Sequence, residues 1–184
     1  VALRVVILGA GGHAKALRHV LPYTRVPVIK LIENDDEVRS SDQVYIGIGD
    51  QKKRRLLFEK FRDQIPNRGV QIMGNTWIGP DVRIGNNVLV NTGAQIDHDC
   101  SIEAHCVIAP GAILCGAVTL GEGCFIGAGA IIVQEVTLEP DTFVPAGTLV
   151  VGSDDFRKPI RMVRDRGADQ VDLRQEGADL LVGA

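Results

Sequence analysis

From Ile78 onward an aliphatic side chain returns at every sixth position: Ile78, Ile84, Val90, Ile96, Ile102, Ile108, Leu114, Leu120, Ile126, Ile132, Leu138, Val144 and Val150. Four residues after each comes a small or modest side chain, as at Val82, Val88, Ala94, Cys100, Cys106, Ala112, Val118, Cys124 and Ala130. The residue just after the aliphatic one is often Gly, Ala or Asp, as at Gly79, Gly85, Asp97, Ala109, Gly121 and Gly127. A helix cannot keep step with this, because 3.6 residues per turn spread a period of six around its circumference. A plain amphipathic strand alternates every two residues and gives no reason for the large-then-small order. A parallel β-helix accounts for both. Each hexapeptide forms one side of a three-sided prism, the aliphatic residue points to the axis, and the small residue fits near the corner. Residues one coil apart then stack, and residues 78–152 make about four coils.

Composition agrees with stacked strands. Hydrophobic residues make up 45% of the chain and aromatics only 4%, so the core must be built from small and branched aliphatic side chains. The formal net charge of −3 offers no electrostatic basis for holding DNA or RNA. No apolar run reaches the length of a membrane span, and Val5-Val6-Ile7-Leu8 is too short for a signal-peptide core, so a cytoplasmic protein without integral membrane contact is expected. Cys100, Cys106, Cys115 and Cys124 lack metal-site spacing. Three of them, Cys100, Cys106 and Cys124, fall on the small inward position, where a thiol packs as a small hydrophobe rather than as a nucleophile.

The chain divides into residues 1–74, an α/β unit, residues 75–152, the β-helix, and residues 153–184, a charged tail of atypical composition. In the first unit, residues 4–8 form a strand running into Gly9-Ala10-Gly11-Gly12-His13-Ala14, followed by a helix from Lys15 to Leu21. Glycines permit a tight turn there, and backbone N–H groups at the helix start meet phosphate. A second strand, Val28–Ile32, ends at Glu33-Asn34-Asp35-Asp36, where acids can accept hydrogen bonds from ribose or base. A third strand, Val44–Ile48, ends at Gly49-Asp50, and Gln51–Gln64 reads as a basic amphipathic helix. This is half of a dinucleotide-binding fold, so a nucleoside diphosphate carried by a sugar suits it better than NAD. A structural glycine turn with no ligand is the competing reading. His13 either touches the ligand or caps the helix start, and His19 is a surface or packing residue.

Two histidines lie in the β-helix. His98 occupies the third place of its hexapeptide, beside the inward Ile96, and therefore projects at a coil corner between Asp97 and Asp99. A neutral imidazole with a carboxylate neighbour is equipped as a general base, the carboxylate fixing the tautomer and stabilising the imidazolium. One coil later stands Gly116, whose N–H is left open to an incoming carbonyl oxygen, as an oxyanion site requires.

Together these segments resemble the sialic-acid O-acetyltransferase and bacillosamine-type nucleotide-aminosugar N-acetyltransferase family of hexapeptide-repeat acyltransferases. The resemblance covers residues 4–152 and rests on Ile7-Leu8-Gly9-Ala10-Gly11-Gly12-His13-Ala14, Ile46-Gly47-Ile48-Gly49-Asp50, Asn91-Thr92-Gly93-Ala94, His98-Asp99-Cys100, Ile108-Ala109-Pro110-Gly111-Ala112 and Phe125-Ile126-Gly127-Ala128-Gly129-Ala130. It implies a half-Rossmann N-terminal domain, a left-handed β-helix and a homotrimer. His98 is then the general base, Asp99 orients it, and Gly116 binds the thioester carbonyl. Gly9, Gly11, Gly12, His13, Asp35, Asp36, Gly49 and Asn91 are implied to hold a nucleotide-sugar. Acetyl-CoA is implied to lie between neighbouring subunits along Gly116, Ala117, Gly127 and Ala128, with no metal. The chain departs from the family pattern in two places. Val107 stands where a second histidine is usual, His105 being two places earlier, and Gly152 leads into Ser153-Asp154-Asp155 rather than a glycine-asparagine-proline turn.

The expected reaction is N-acetylation of a 4-amino group on a nucleotide-linked sugar in bacterial glycan biosynthesis, with sugar or sialic acid O-acetylation as the alternative. A catalytically silent trimeric scaffold is the rival of another class, since a fold alone never proves activity. A carbonic-anhydrase-like zinc enzyme on the same repeat needs three histidines, and the β-helix has two.

Overall fold

A computed structural model describes residues 4–20 and 28–152. The tail at 153–184 and the end of the first expected helix, Leu21, lie outside the described residues.

The N-terminal unit is a three-stranded parallel sheet, β1 (Val5–Leu8), β2 (Val28–Ile32) and β3 (Gln43–Ile46), in the order β2-β1-β3. Helix α1 (Gly12–Val20) follows β1, and α2 (Gln51–Lys60) follows β3. The expected helix from Gln51 to Gln64 stops at Lys60 and finishes in a 3-10 turn, Arg62–Gln64. All four residues of β1 are fully or almost fully buried, as the middle strand of a sheet covered on both sides must be. One face packs Val6, Leu8, Ile32, Val44 and Phe61 together. The close fit of α1 on the sheet depends on Gly47, where a methyl group would lie 2.7 Å from both Ala14 Cβ and Ile7 Cγ2.

The remainder is a parallel β-solenoid of two-residue strands on three faces. One face stacks Gln71–Ile72, Leu89–Val90, Val107–Ile108, Phe125–Ile126 and Phe143–Val144. The next runs from Arg83–Ile84 to Thr137–Leu138, and the third from Trp77–Ile78 to Leu149–Val150. Strands pair in register eighteen residues apart, Gln95 beside Ile113 and Leu114 beside Ile132. The ladder begins at Gln71–Ile72, one hexapeptide before the first aliphatic of the sequence series and inside the segment assigned to the N-terminal unit. Inward aliphatics from Val90 to Val150 and the small residues from Val88 to Ala130 form one continuous core. Cys100, Cys106 and Cys124 are buried in it. Burial raises the Cys100 thiol pKa, and a hydrogen bond to Cys124 together with burial raises that of Cys106, so neither is set up as a nucleophile.

Each corner is closed by a residue in the left-handed backbone region. Every sixth residue from Asn75 to Gly147 has φ between 54° and 76°. Most of these are Asn, Asp or Gly, the types that tolerate this region best. The period of six is therefore written twice, once in the core and once at the corners.

The two units meet on the first face. Ile7, Ala14 and Leu17 pack against Met73, Leu89 and Val107, with Phe125 at the margin. Helix α2 lies along the neighbouring corner, where Gln51 Nε2 donates to the carbonyls of His105 (3.0 Å) and Gly123 (2.6 Å), and Arg55 pairs with Glu122.

Candidate active site

His98, Asp99, Gly116 and Ala117 share one corner column of the solenoid. The inward Ile96 and Cys100 anchor the turn on either side, so the residues between them must face outward. Asp97 Oδ1 accepts from the His98 N–H (2.8 Å), and Asp99 N–H donates to Pro80 O (3.1 Å) in the coil before. The left-handed φ of Asp99, 60°, turns its carboxylate back onto the imidazole, and Asp99 Oδ2 sits 2.8 Å from His98 Nδ1. The carboxylate can only accept, so Nδ1 carries the proton and Nε2 is left with a lone pair. Hydrogen bonding to Asp99, then the charge of Asp97, raises the His98 pKa above the ordinary histidine value.

The next coil sets a glycine against that lone pair. A methyl group on Gly116 would lie 2.6 Å from His98 Cε1 and Nε2. The coil-to-coil ladder uses the N–H of Cys115 and of Ala117, the latter donating to His98 O (2.9 Å). Among the described residues the Gly116 N–H has no partner. The corner thus offers a base nitrogen and a free backbone donor side by side, in the relation that acyl transfer through a tetrahedral oxyanion requires.

Asn91, Gly127 and Ala128 occupy a different corner, one face away. Asn91 Oδ1 accepts from the Thr92 N–H (2.8 Å). Gly127 lies under the following coil, where a methyl group would fall 2.4 Å from the Ala146 nitrogen, so packing alone accounts for that glycine. Within a single chain the expected acyl-donor residues are therefore split between two corners.

In the N-terminal unit, a cleft of about 410 Å³ opens between the ends of the parallel strands and α2. Leu8, Gly9, Glu33, Asn34, Asp35, Ile48, Lys53, Leu56, Leu57 and Lys60 line it. That volume and mixture of apolar walls with a few charged groups suit a small ligand. Gly9, at φ 115°, needs to be glycine, since a methyl group would meet Gly47 O at 2.9 Å. At Gly11, Gly12 and Gly49 a methyl group would meet nothing within 4 Å, so these glycines leave the turn open to the outside. Asp35 Oδ2 accepts from Lys60 Nζ (2.8 Å), whereas the backbone N–H of Asp36 is bonded to Asn34 Oδ1 (3.2 Å). Gly9 and Asp35 thus share the cleft, while Asn91 lies on the solenoid. Sequence reading missed Lys53 and Lys60 as lining residues, although both belong to the basic helix it did identify.

His13 is the second residue of α1, and its Nε2 lies 3.2 Å from Gln71 Oε1 on the first solenoid rung. His105 has a structural place. Its Nδ1 accepts from Asn87 Nδ2 (2.9 Å), its ring meets Phe58 edge-on with centroids 5.6 Å apart, and only 7% of it is exposed. Val107 is 4% exposed in the seam between the units, so a polar imidazole there would lose its solvation. Among the described residues no three His, Cys, Asp or Glu side chains are grouped to hold a metal ion, and no helix is long and apolar enough to cross a membrane.

Comparisons with known proteins bear on the fold and the family. A family model described as bacterial transferase hexapeptide (six repeats) matches residues 81–116. The bifunctional protein GlmU of Mycolicibacterium smegmatis is 42% identical over 57 residues, which are 30% of this chain but only 12% of that protein. The fold is similar to that of the acetyltransferase domain of PglB from Neisseria gonorrhoeae, with a TM-score of 0.72 at 23% identity over 82% of this chain and 92% of that one. It is also similar to a histidine-to-alanine variant of GDP-perosamine N-acetyltransferase from Caulobacter crescentus, crystallised with CoA and GDP-perosamine, with a TM-score of 0.71. Matching that enzyme at 31% identity over 81% of its own length and 89% of the other's, on the same stacked hexapeptides, the chain belongs to the sialic-acid O-acetyltransferase and nucleotide-aminosugar N-acetyltransferase family of hexapeptide-repeat acyltransferases.

Proposed function

We propose that the protein transfers the acetyl group of acetyl-CoA to the amine of a nucleotide-linked amino sugar, with His98 as general base. The observation that carries this is the corner at which His98 Nδ1 is tied to Asp99 at 2.8 Å, while Gly116 leaves both the Nε2 edge and its own N–H unobstructed. The relative crystallised with CoA and GDP-perosamine supports the substrate class. In this reading the sugar amine attacks the thioester carbonyl directly. A C–N bond forms, His98 Nε2 takes the proton released from nitrogen, and the Gly116 N–H donates to the oxyanion. The tetrahedral intermediate then collapses, the C–S bond breaks, and the departing thiolate recovers the proton from His98. No acyl-enzyme is required.

The nucleotide-sugar occupies the N-terminal unit, acting as half of a Rossmann fold, with Gly9, Gly11, Gly12, His13, Asp35, Asp36 and Gly49 about it. Asn91 meets the sugar end from the solenoid. Acetyl-CoA runs along Gly116 and Ala117 of one subunit and Gly127 and Ala128 of its neighbour in a trimer of left-handed β-helices. The split of these residues between two corners supports the assembly, as does the outer surface of the third face. Trp77, Ile131 and Leu149 stand there 62%, 37% and 59% exposed, a ladder of apolar rungs broken only by Gln95 that a second copy would cover. A cytoplasmic location, where acetyl-CoA is available, fits this reading.

The test is release of free CoA with a panel of nucleotide-linked 4-amino sugars, with the corresponding hydroxyl sugars and sialic acid in parallel. His98→Ala is expected to lower kcat about 10²- to 10⁴-fold with little change in KM. Near-native turnover by that variant would sink the mechanism, and turnover confined to the hydroxyl acceptors would shift it to O-acetylation.

A further inference from the structure

The first turn of α1 is tied to the solenoid by a hydrogen-bond chain whose polarity can be assigned from one end. Arg54 is 1% exposed and carries donors only, so any atom its NH1 contacts must be an acceptor. NH1 bonds to Ile46 O (3.1 Å) and to Gln71 Oε1 (3.0 Å), and NH2 to Gly69 O (3.1 Å). That settles which end of the Gln71 amide is oxygen, and its Nε2 donates to Ile46 O (3.0 Å) in agreement. The same Oε1 lies 3.2 Å from His13 Nε2. His13 must therefore donate through Nε2. A neutral imidazole has one donor and one acceptor, so Nδ1 is left holding a lone pair. Among the described residues Nδ1 has no hydrogen-bond partner. Burial lowers the pKa of the ring below the ordinary histidine value, outweighing the opposing hydrogen bond to Gln71, and the Arg54 charge lowers it further, which favours the neutral form.

We infer that His13 acts as a fixed hydrogen-bond acceptor beside the glycine turn, reading a hydroxyl or amine donor on the sugar portion of the ligand and not a phosphate oxygen, with Gln71 and Arg54 as the residues that position it. An ionised phosphate presents acceptors only and gains nothing from a lone pair. A sugar hydroxyl, amine or amide N–H does. The inference rests on the proposal that the glycine turn holds a nucleotide-sugar, and it specifies which part of that ligand His13 recognises.

Two measurements test it on the intact chain. Imidazole nitrogen NMR at about pH 8 is expected to show His13 locked as the Nε2–H tautomer, and Gln71→Met is expected to admit a fraction of the Nδ1–H form. An Nδ1–H tautomer in the native protein overturns the inference. Calorimetry then compares GDP and UDP with GDP-mannose and UDP-N-acetylglucosamine. His13→Gln, which keeps a polar group near the Nε2 position only, should weaken the better sugar conjugate about two- to tenfold and leave the matching nucleoside diphosphate unchanged. His13→Asn, which keeps an acceptor near the Nδ1 position, should retain more of the conjugate's affinity than His13→Gln. Equal weakening of conjugate and diphosphate, or no difference between the two variants, overturns the inference while leaving the glycine turn as a nucleotide site. Failure of the native protein to bind any of the four removes the nucleotide-site reading itself, and the inference with it.

Discussion

Gly116 faces the imidazole of His98 so closely that a single methyl group on it would lie 2.6 Å from both Cε1 and Nε2. Its backbone φ is not in the left-handed region, so what demands glycine there is the neighbour and not the turn. Gly116→Ala is accordingly expected to fold with an unchanged circular dichroism spectrum and melting temperature, because the displaced ring is exposed and can swing outward. Displacing the base should lower kcat about 10²-fold. Full activity in Gly116→Ala, measured by CoA release, would separate this corner from the chemistry.

The pH dependence follows from the Asp99 contact. His98 accepts a proton only when neutral, and Asp99 holds its pKa above the ordinary histidine value. Activity should therefore rise with pH, with its midpoint above about 6.5 in the native enzyme. Asp99→Asn removes the carboxylate that supports the charged form, so the midpoint should move to lower pH while the plateau falls. A pH–rate profile of kcat for both proteins checks this, and an unmoved midpoint counts against His98 as the titrating group.

The glycine turn contains two kinds of glycine. Gly9 sits at φ 115° against Gly47 O, so Gly9→Ala is expected to destabilise the N-terminal unit by roughly 1–3 kcal/mol, seen as a lower urea midpoint. Gly11 has open space around it, so Gly11→Val should keep its stability and lose affinity for nucleotide by blocking close backbone approach. Acetyl-CoA binding should be unaffected in Gly11→Val. Equal loss of both ligands would make this loop structural.

His105 is expected to matter for stability more than for turnover. His105→Ala leaves Asn87 Nδ2 unpaired beside an already unpartnered, buried Asn87 Oδ1, at a cost of about 1–3 kcal/mol, while kcat falls far less than in His98→Ala. Burial, then the Arg55 charge, lowers the pKa of His105 in the folded protein. The unfolded chain therefore binds the proton more readily, and the stability His105 provides is present above the ordinary histidine value and lost as pH falls below it. Melting temperatures from about pH 7 to about pH 5 should fall less in His105→Ala than in the native protein.

For the assembly, Ile131→Lys places a charge in the middle of the apolar ladder on the third face. It is expected to shift the light-scattering mass from a trimer toward a monomer and to abolish activity without unfolding the solenoid core. A monomeric native protein with full activity would remove the intersubunit donor groove.

Much of the solenoid was legible because its signal is periodic. The aliphatic at each sixth position buries itself whatever surrounds the coil, and the outward placement of His98 follows from Ile96 and Cys100 pointing in. The corner signal was equally present in the sequence at Asn75, Asp81, Asn87 and Gly93, yet only the φ values explain why Asp99 turns back onto His98. What could not be read locally was every contact made between the two units. By alternation Val107 is an outward-facing residue, and only the covering Ile7, Ala14 and Leu17 make it core. Arg54 looks like one more cation on a basic helix, and its burial depends on Gln71 and on carbonyls from two other segments.

The eighteen-residue register has a consequence for how such a chain can change length. Since Gln95 pairs with Ile113 and Ile113 with Ile131, losing one or two residues within a strand would rotate every later rung out of its column and turn core side chains toward water. Excising one whole coil, residues 109–126, would leave every remaining column aligned. It would also bring Gln134 to the place above His98 now held by Gly116, so the shortened chain would keep its shape and a backbone N–H at that corner but press a side chain against the imidazole that Gly116 leaves clear.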